Sequence, residues 1–367
     1  MHLSERLAKA VEKIKAADWD AMLLGPSPDL EYLLGLSVHR CERFNGLFLL
    51  PGGDVFAVVS RLYLEEFKRA MPDGAPVYDW PDEEWFYGAL EQAFEDFGLN
   101  KGSRLGVNDG ISAVDAVEIA KRCGTILENG WRLLEDLRII KSPEEQQKLK
   151  RAGEIADRTL EALLPFIEPG KTEKQIKRKL LEILDDMGAS DVSFQPIVAR
   201  GENAAMPHYP GGDGVIGEKD SLLVDFGCRV EGYCSDMTRT LFIGEPDEDV
   251  KEMYEVVLHA QEEGERAVQP GVAAEDIDIV ARRVIEEAGY GGYFNNRLGH
   301  GIGIAIHEAP NIIRGNRMTL AEGMAFSVEP GIYIPGKIGI RIENCVVVTD
   351  DGCEALTRFP KEIIILK

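Results

Sequence analysis

Apolar residues in this chain follow two rhythms, and the rhythms sort it into helices and strands. The opening stretch "MHLSERLAKAVEKIKAADWD" places apolar residues at helical spacing among charges and predicts an amphipathic helix over 2–17. "AMLLG" follows as a short apolar strand, then a Pro/Ser turn and a helix in "PDLEYLLGL". "GLFLLPGGDVFAVVS" predicts a hairpin around Pro51, Gly52 and Gly53. A helix is expected over Leu62–Ala70, another over Glu83–Phe97, and "SRLGVND" as a further strand. This alternation predicts a small α/β domain over 1–135.

A different pattern starts near residue 136. Ser142 is a good N-cap, Pro143 suits the first helical position, and Glu145 completes a capping box. Leu149, Ala152, Ile155, Ala156 and Leu160 keep helical spacing up to Pro169 and Gly170. Thr172 with Gln175 opens the next helix in the same way, and it stops near Gly188. Two more helices are expected at 247–268 and 274–288, with β-rich segments at 193–243 and 297–367. The second domain, 136–367, therefore reads as α+β, with helices packed on an antiparallel sheet.

A length of 367 residues supports two domains at roughly 100–200 residues each. The net charge of −23 argues against a nucleic-acid partner and against anionic membrane surfaces. No apolar run approaches the roughly 20 residues that span a bilayer, and the first helix lacks the apolar core of a secretory signal. Cys41, Cys123, Cys228, Cys234, Cys345 and Cys353 are scattered, with no C-x-x-C pair. They read as reduced thiols of a cytoplasmic protein.

The stretch "LLVDFGCRVEGYCSDMTRT" sets Asp225 and Asp236 inside apolar runs. A buried carboxylate without a partner costs several kcal/mol. If Glu231 and Gly232 form the hairpin loop, Asp225 faces Thr238 and Asp236 is its diagonal neighbour. If Val230 and Glu231 form it, the two aspartates are directly opposite. Both registers put the two carboxylates on one face. "FSVEPGIYIPGKIGIRIENCVVV" repeats the arrangement. A loop of Pro335, Gly336 and Lys337 sets Glu329 opposite Glu343, although Pro330 disturbs the ladder. Four buried acids are tolerable together when divalent cations sit among them. "GHGIGIAIHEAP" offers His300 and His307 as nitrogen donors. Seven positions apart, they point to opposite faces of a straight strand unless Gly301 and Gly303 bend it. His208 stands in a Pro/Gly-rich loop, "AAMPHYPGG".

The motifs "LLVDFG", "SDMTRT", "GHGIG" with "HEAP", "EPGIY" and "RIEN" resemble the metallopeptidases of pita-bread fold. With "FQPIVARGENAAMPHY" and a creatinase-like N-terminal domain, the chain is similar to the Xaa-Pro peptidases, prolidase and aminopeptidase P. The resemblance implies a C-terminal pita-bread (creatinase/aminopeptidase) domain behind the smaller α/β domain. It implies two divalent ions, Mn²⁺ or Co²⁺ foremost and Zn²⁺ or Fe²⁺ as alternatives, held by Asp225, Asp236, His300, Glu329 and Glu343. Asp236 and Glu343 would bridge the pair. His208 and His307 match the substrate-contacting histidines, and Arg341 the arginine beside the bridging glutamate. Asn344 departs from the aspartate that many relatives carry there, and the "HYPGGDGVI" loop is richer in glycine than expected.

The implied reaction is hydrolysis of a proline-containing dipeptide or short peptide by a water between two metals. Glu329 is the expected general base, and His307 the donor to the developing oxyanion. The resemblance also implies a homodimer, in which the loop carrying His39, Glu42 and Arg43 reaches toward the partner's active site. The rival readings are another chemistry on this fold, such as a metal-dependent lyase or a creatine-type hydrolase, a methionine aminopeptidase, and an inactive peptide-binding module.

Overall fold

A computed structural model of the chain describes residues 3–366. His2, the expected first residue of the opening helix, lies outside them, as do Met1 and Lys367. The chain divides into two compact units, the first ending at Arg138 and the second starting at Ile139.

The first unit is built on a six-stranded sheet. Its strands lie in the order Val77–Trp80, Val55–Ser60, Gly46–Leu49, Ala21–Leu24, Arg104–Val107 and Ile126–Asn129. The expected hairpin forms, with Leu49 paired to Val55. The helix expected over Leu62–Ala70 begins instead as a 3-10 turn, Arg61–Tyr63, and is α-helical only over Leu64–Ala70. The helix expected from Glu83 starts at Tyr87 and ends at Asp96. Trp85 adopts a φ of 57°, which no helix continues through. That bend sends Phe86 inward to stack on Phe44 at 4.1 Å, so tertiary packing of the aromatics overrides local propensity. The loop with His39 is exposed, and Arg43 in it pairs with Asp82 at 2.8 Å and with Glu42.

In the second unit both capping boxes form. Ser142 with Glu145 opens the helix Pro143–Leu163, and Thr172 with Gln175 opens Glu173–Asp186. The first of these stops short of Pro169, because Pro165 lacks an N–H and the chain tightens into a 3-10 turn at Leu164–Phe166. Helices Glu248–Arg266 and Ala274–Glu287 follow as expected. The expected single antiparallel sheet is instead several smaller ones. Four strands, Ile365–Leu366, Met237–Ile243, Asp220–Phe226 and Ile197–Arg200, form one, and its outermost pair is parallel. Five strands, Glu308–Ile312, Gly299–Gly301, Ala325–Val328, Asn344–Val348 and Cys353–Ala355, form another.

Each sheet has its own helix pair. Leu160, Ile176 and Leu180 pack against Leu222, Val224 and Leu241 on the four-stranded sheet. Val257, Ile277 and Ala281 pack against Phe326, Val328 and Val346 on the five-stranded one. Two apolar cores thus cover one face of each sheet, and the opposite face of the four-stranded sheet carries Asp225 beside a smaller cluster of Ala199, Ala204 and Leu223. Among the described residues no helix is long and apolar enough to cross a membrane.

Candidate metal centre

Asp220–Phe226 and Met237–Ile243 form a first ribbon, with Asp225 opposite Thr238. The ribbon narrows into a short extension, where Val230 pairs with Tyr233 across a loop of Glu231 and Gly232. Both loop residues have positive φ, 49° and 85°, as a two-residue hairpin turn of right-handed twist requires. Of the two registers open from sequence, this is the one with Asp236 as the diagonal neighbour of Asp225.

The second ribbon holds one register on both sides of an interruption. Gly331 pairs with Arg341 and Ile334 with Ile338, and beyond the gap Val328 pairs with Asn344. Glu329 and Glu343 occupy that gap, opposite each other as expected but without a ladder bond between them. Pro330 has no N–H to give, and the peptide N–H of Glu329 donates to Leu298 O at 2.9 Å. Glu343 turns instead to the first ribbon, where its N–H donates to Thr238 O at 3.1 Å. The interruption is therefore where the two ribbons meet.

A β-bulge brings the histidines together. His300 pairs with Asn311, yet Gly301 pairs with Glu308, so the register slips between adjacent residues. A Cβ on Gly299 or Gly301 would run into carbonyl groups of neighbouring strands, which explains the glycines on either side of His300. The His300 and His307 rings consequently meet edge to face at 4.3 Å rather than pointing apart.

Asp236, His300 and Glu343 each bring one donor atom into a group spanning no more than 4.8 Å. His300 Nε2 also lies 3.2 Å from Glu329 Oε1 and 3.5 Å from Asp236 Oδ2. Asp225 joins through Arg341, whose guanidinium pairs with Asp225 Oδ2 and donates to Thr238 Oγ1 at 3.1 Å and to the Tyr333 hydroxyl at 2.9 Å. Ser327 Oγ accepts from the His300 N–H at 3.0 Å and donates to Glu329 Oε1 at 3.0 Å. Thr238, Ser327 and Tyr333 carry no functional role in the sequence reading, which names Thr238 only as the residue facing Asp225. A signal existed for two of them: Thr238 and Ser327 stand two residues from Asp236 and Glu329, hence on the same strand face.

Electrostatics make this group unfavourable as it stands. Burial, then Glu343 and Asp225, push the Asp236 carboxyl well above the usual carboxylate range. Burial, then Glu329 and Asp225, do the same to Glu343. Burial also raises Asp225, against the pull of Arg341. Burial would raise Glu329 too, but the hydrogen bond and charge of His300 outweigh it and hold that carboxyl low. His307 is exposed at the rim. Partial desolvation of its ring, and next His300, hold its pKa down to about 4. His208, exposed on its turn, lies near enough to contribute to the same depression.

Asp225 Oδ1, Asp236 Oδ1 and Glu343 Oε1 are buried and accept no hydrogen bond. Three orphaned carboxylate oxygens beside one imidazole are the donor chemistry of Mn²⁺, Co²⁺, Fe²⁺ or Zn²⁺. The residues fit divalent metal.

Residues 147–350 match the model of metallopeptidase family M24, and residues 6–140 that of the creatinase/prolidase N-terminal domain. The chain is 37% identical to a probable dipeptidase PepE of Mycobacterium tuberculosis over 99% of its own length and 96% of the relative's. It is 33% identical to an Xaa-Pro dipeptidase of Pyrococcus horikoshii, over 99% of both chains. The crystal structure of a recombinant prolidase from Thermococcus sibiricus superposes with a TM-score of 0.95 at 34% identity, over the whole of both chains. With its orphaned acids gathered around one histidine and its two-unit architecture, the chain belongs to metallopeptidase family M24, carrying a creatinase/prolidase N-terminal domain ahead of the pita-bread domain.

Proposed function

We propose that the protein is a dinuclear metallo-exopeptidase that hydrolyses Xaa-Pro bonds in dipeptides or short peptides. The observation that carries the reading is the convergence of Asp236, Glu329 and Glu343 on His300, joined by Asp225 through Arg341, with three buried carboxylate oxygens lacking any donor. Names of relatives, Xaa-Pro dipeptidase and prolidase, support the choice of bond.

Asp225, Asp236, His300, Glu329 and Glu343 would hold two divalent ions, with Asp236 and Glu343 shared. Such ions supply a water acidic enough to attack a peptide carbonyl near neutral pH. Glu329 would take a proton from such a water and pass it to the leaving nitrogen. Its carboxylate is held in place by the Ser327 hydroxyl, which donates to Oε1 at 3.0 Å. His307, neutral above its pKa of about 4, donates its ring N–H to the developing oxyanion. His208 orients the substrate near the scissile nitrogen. Arg341 occupies one oxygen of Asp225 and so directs the other inward. The surplus of acids draws in a free α-amine, which suits an exopeptidase. A proline after the scissile bond offers no N–H, and a pocket without an acceptor there favours it.

Six free thiols, three of them buried, support a reducing, cytoplasmic setting, and the homodimer expectation belongs to the same reading. Rates on Ala-Pro, Ala-Pro-Ala and Ala-Ala with added Mn²⁺, Co²⁺ or Zn²⁺ test it. Metal-dependent cleavage of the first or second substrate, well above the third, is expected. Equal cleavage of Ala-Ala, or none of the three, overturns it.

A further inference from the structure

Glu173 is 1% exposed, yet its carboxylate meets four donors from one loop. Oε1 accepts from the Arg200 N–H at 2.7 Å and from Asn203 Nδ2 at 2.8 Å. Oε2 accepts from the Tyr209 hydroxyl at 2.9 Å and from the Gly214 N–H at 3.3 Å. The Glu173 N–H donates in return to Gly214 O at 2.9 Å. Both ends of the segment 200–214 and its middle are therefore tied to one buried side chain at the start of the helix Glu173–Asp186. A cap needs only one such bond, so helix capping does not account for the arrangement.

The segment carries His208. Tyr209, its immediate neighbour, is the residue whose hydroxyl Glu173 holds. The glycine content of the loop follows from the same contacts. A Cβ on Gly214 would lie 2.9 Å from the Glu173 carboxylate, and one on Gly212 would collide with the Tyr209 hydroxyl. His208 itself makes no hydrogen bond of its own among the described residues, so its placement depends on what anchors the loop. Fixing the ends of a flexible segment removes the conformational freedom that would otherwise scatter a side chain in its middle. A misplacement of about 1 Å is enough to cost about a hundredfold in rate.

We infer that Glu173 is a positioning residue that acts through Tyr209 to set His208 for substrate, an inference resting on the substrate-contacting role proposed for His208. Neither Glu173 nor Tyr209 belongs to the acid cluster, so neither governs metal loading.

The test is steady-state kinetics on Ala-Pro with the Mn²⁺-loaded full chain, using E173A, Y209F, H208A and the double variant H208A/E173A, with metal content measured on each. E173A is expected to lower kcat about 10–100-fold with bound metal unchanged. Y209F, which deletes one hydroxyl, shifts kcat in the same direction by about threefold or more. In the H208A background E173A costs less than about twofold, because the residue it positions is gone. Fully additive losses, or a Y209F variant with wild-type kcat, overturn the inference while leaving the reading of His208 intact. If E173A does not fold, Y209F combined with H208A decides by the same non-additivity. An H208A variant with wild-type kinetics removes the role of His208 itself, and the inference with it.

Discussion

Thr238 and Glu343 are joined twice. The Glu343 N–H donates to the Thr238 carbonyl at 3.1 Å, and the Thr238 hydroxyl donates to Glu343 Oε2. Thr238 also faces Asp225 within its own ribbon and accepts from Arg341. One threonine thus holds the acids of both ribbons in register, and leaves one oxygen of Glu343 without a donor.

Thr238→Val keeps the shape of the side chain and removes its hydroxyl. Metal affinity is expected to fall about 10–100-fold, as for other groups that orient a ligand, with the fold retained. Competition with a fluorescent chelator measures it. Wild-type affinity in the variant would show that the hydroxyl orients nothing.

Asp236→Asn and His307→Ala should separate ligands from catalytic groups. The first neutralises the proposed shared ligand and is expected to abolish stoichiometric Mn²⁺ binding. The second keeps the metal and lowers kcat about 10²–10³-fold. Elemental analysis of each purified variant is decisive, and metal loss from His307→Ala would move that residue into the ligand set.

Stability of the metal-stripped protein should fall as pH rises. Asp236 and Glu343 bind protons more tightly folded than unfolded, so the native state holds the excess and each unit of pH weakens it. His307 works in the opposite sense, because its depressed pKa of about 4 favours the folded state as pH rises. Its contribution ends near the ordinary histidine value of about 6.5. The thermal midpoint is therefore expected to decline as pH rises above about 6.5, where His307 no longer opposes the loss of protons from Asp236 and Glu343, and added Mn²⁺ should reverse the trend with release of protons. A midpoint that climbs over this interval without metal contradicts the assignment.

Asn344→Asp should be tolerated poorly here. Asn344 Oδ1 accepts from Arg239 at 2.8 Å and Thr357 at 3.1 Å, while Nδ2 donates to Glu265 Oε1 at 2.8 Å. Arg239 is buried enough that its pKa is drawn down to about 10, so a new carboxylate would suit it. The same carboxylate would confront Glu265, and the lost donor costs about 1–3 kcal/mol. Thermal denaturation should show the loss in Asn344→Asp and its recovery in the double variant with Glu265→Gln. A single variant as stable as wild type would mean that Glu265 does not restrain the choice.

The helices of the second unit were legible because capping boxes at Ser142 and Thr172 are local, and their hydrogen bonds need nothing beyond three neighbouring residues. The helix starting at Tyr87 begins later than its local pattern suggests because Phe86 is placed by Phe44, 42 residues earlier, and Trp85 just ahead of it takes a positive φ. Likewise, the slip that unites His300 with His307 depends on Asn311 and Glu308 in a neighbouring strand.

By itself the sequence determined which residues are chemically out of place: pairs of acids set in apolar runs on either side of two turns, a pattern that hairpin geometry converts into shared faces, and histidines set among glycines. Only the tertiary structure decided that the two ribbons meet at Thr238 and Glu343, that the bulge at Gly301 brings the His307 ring against His300, and that Glu173 anchors the loop of His208. The physical reason is range. Strand alternation and helix caps act between residues a few positions apart, whereas the contacts that assemble this centre join residues up to 116 apart, as Asp225 and Arg341 are.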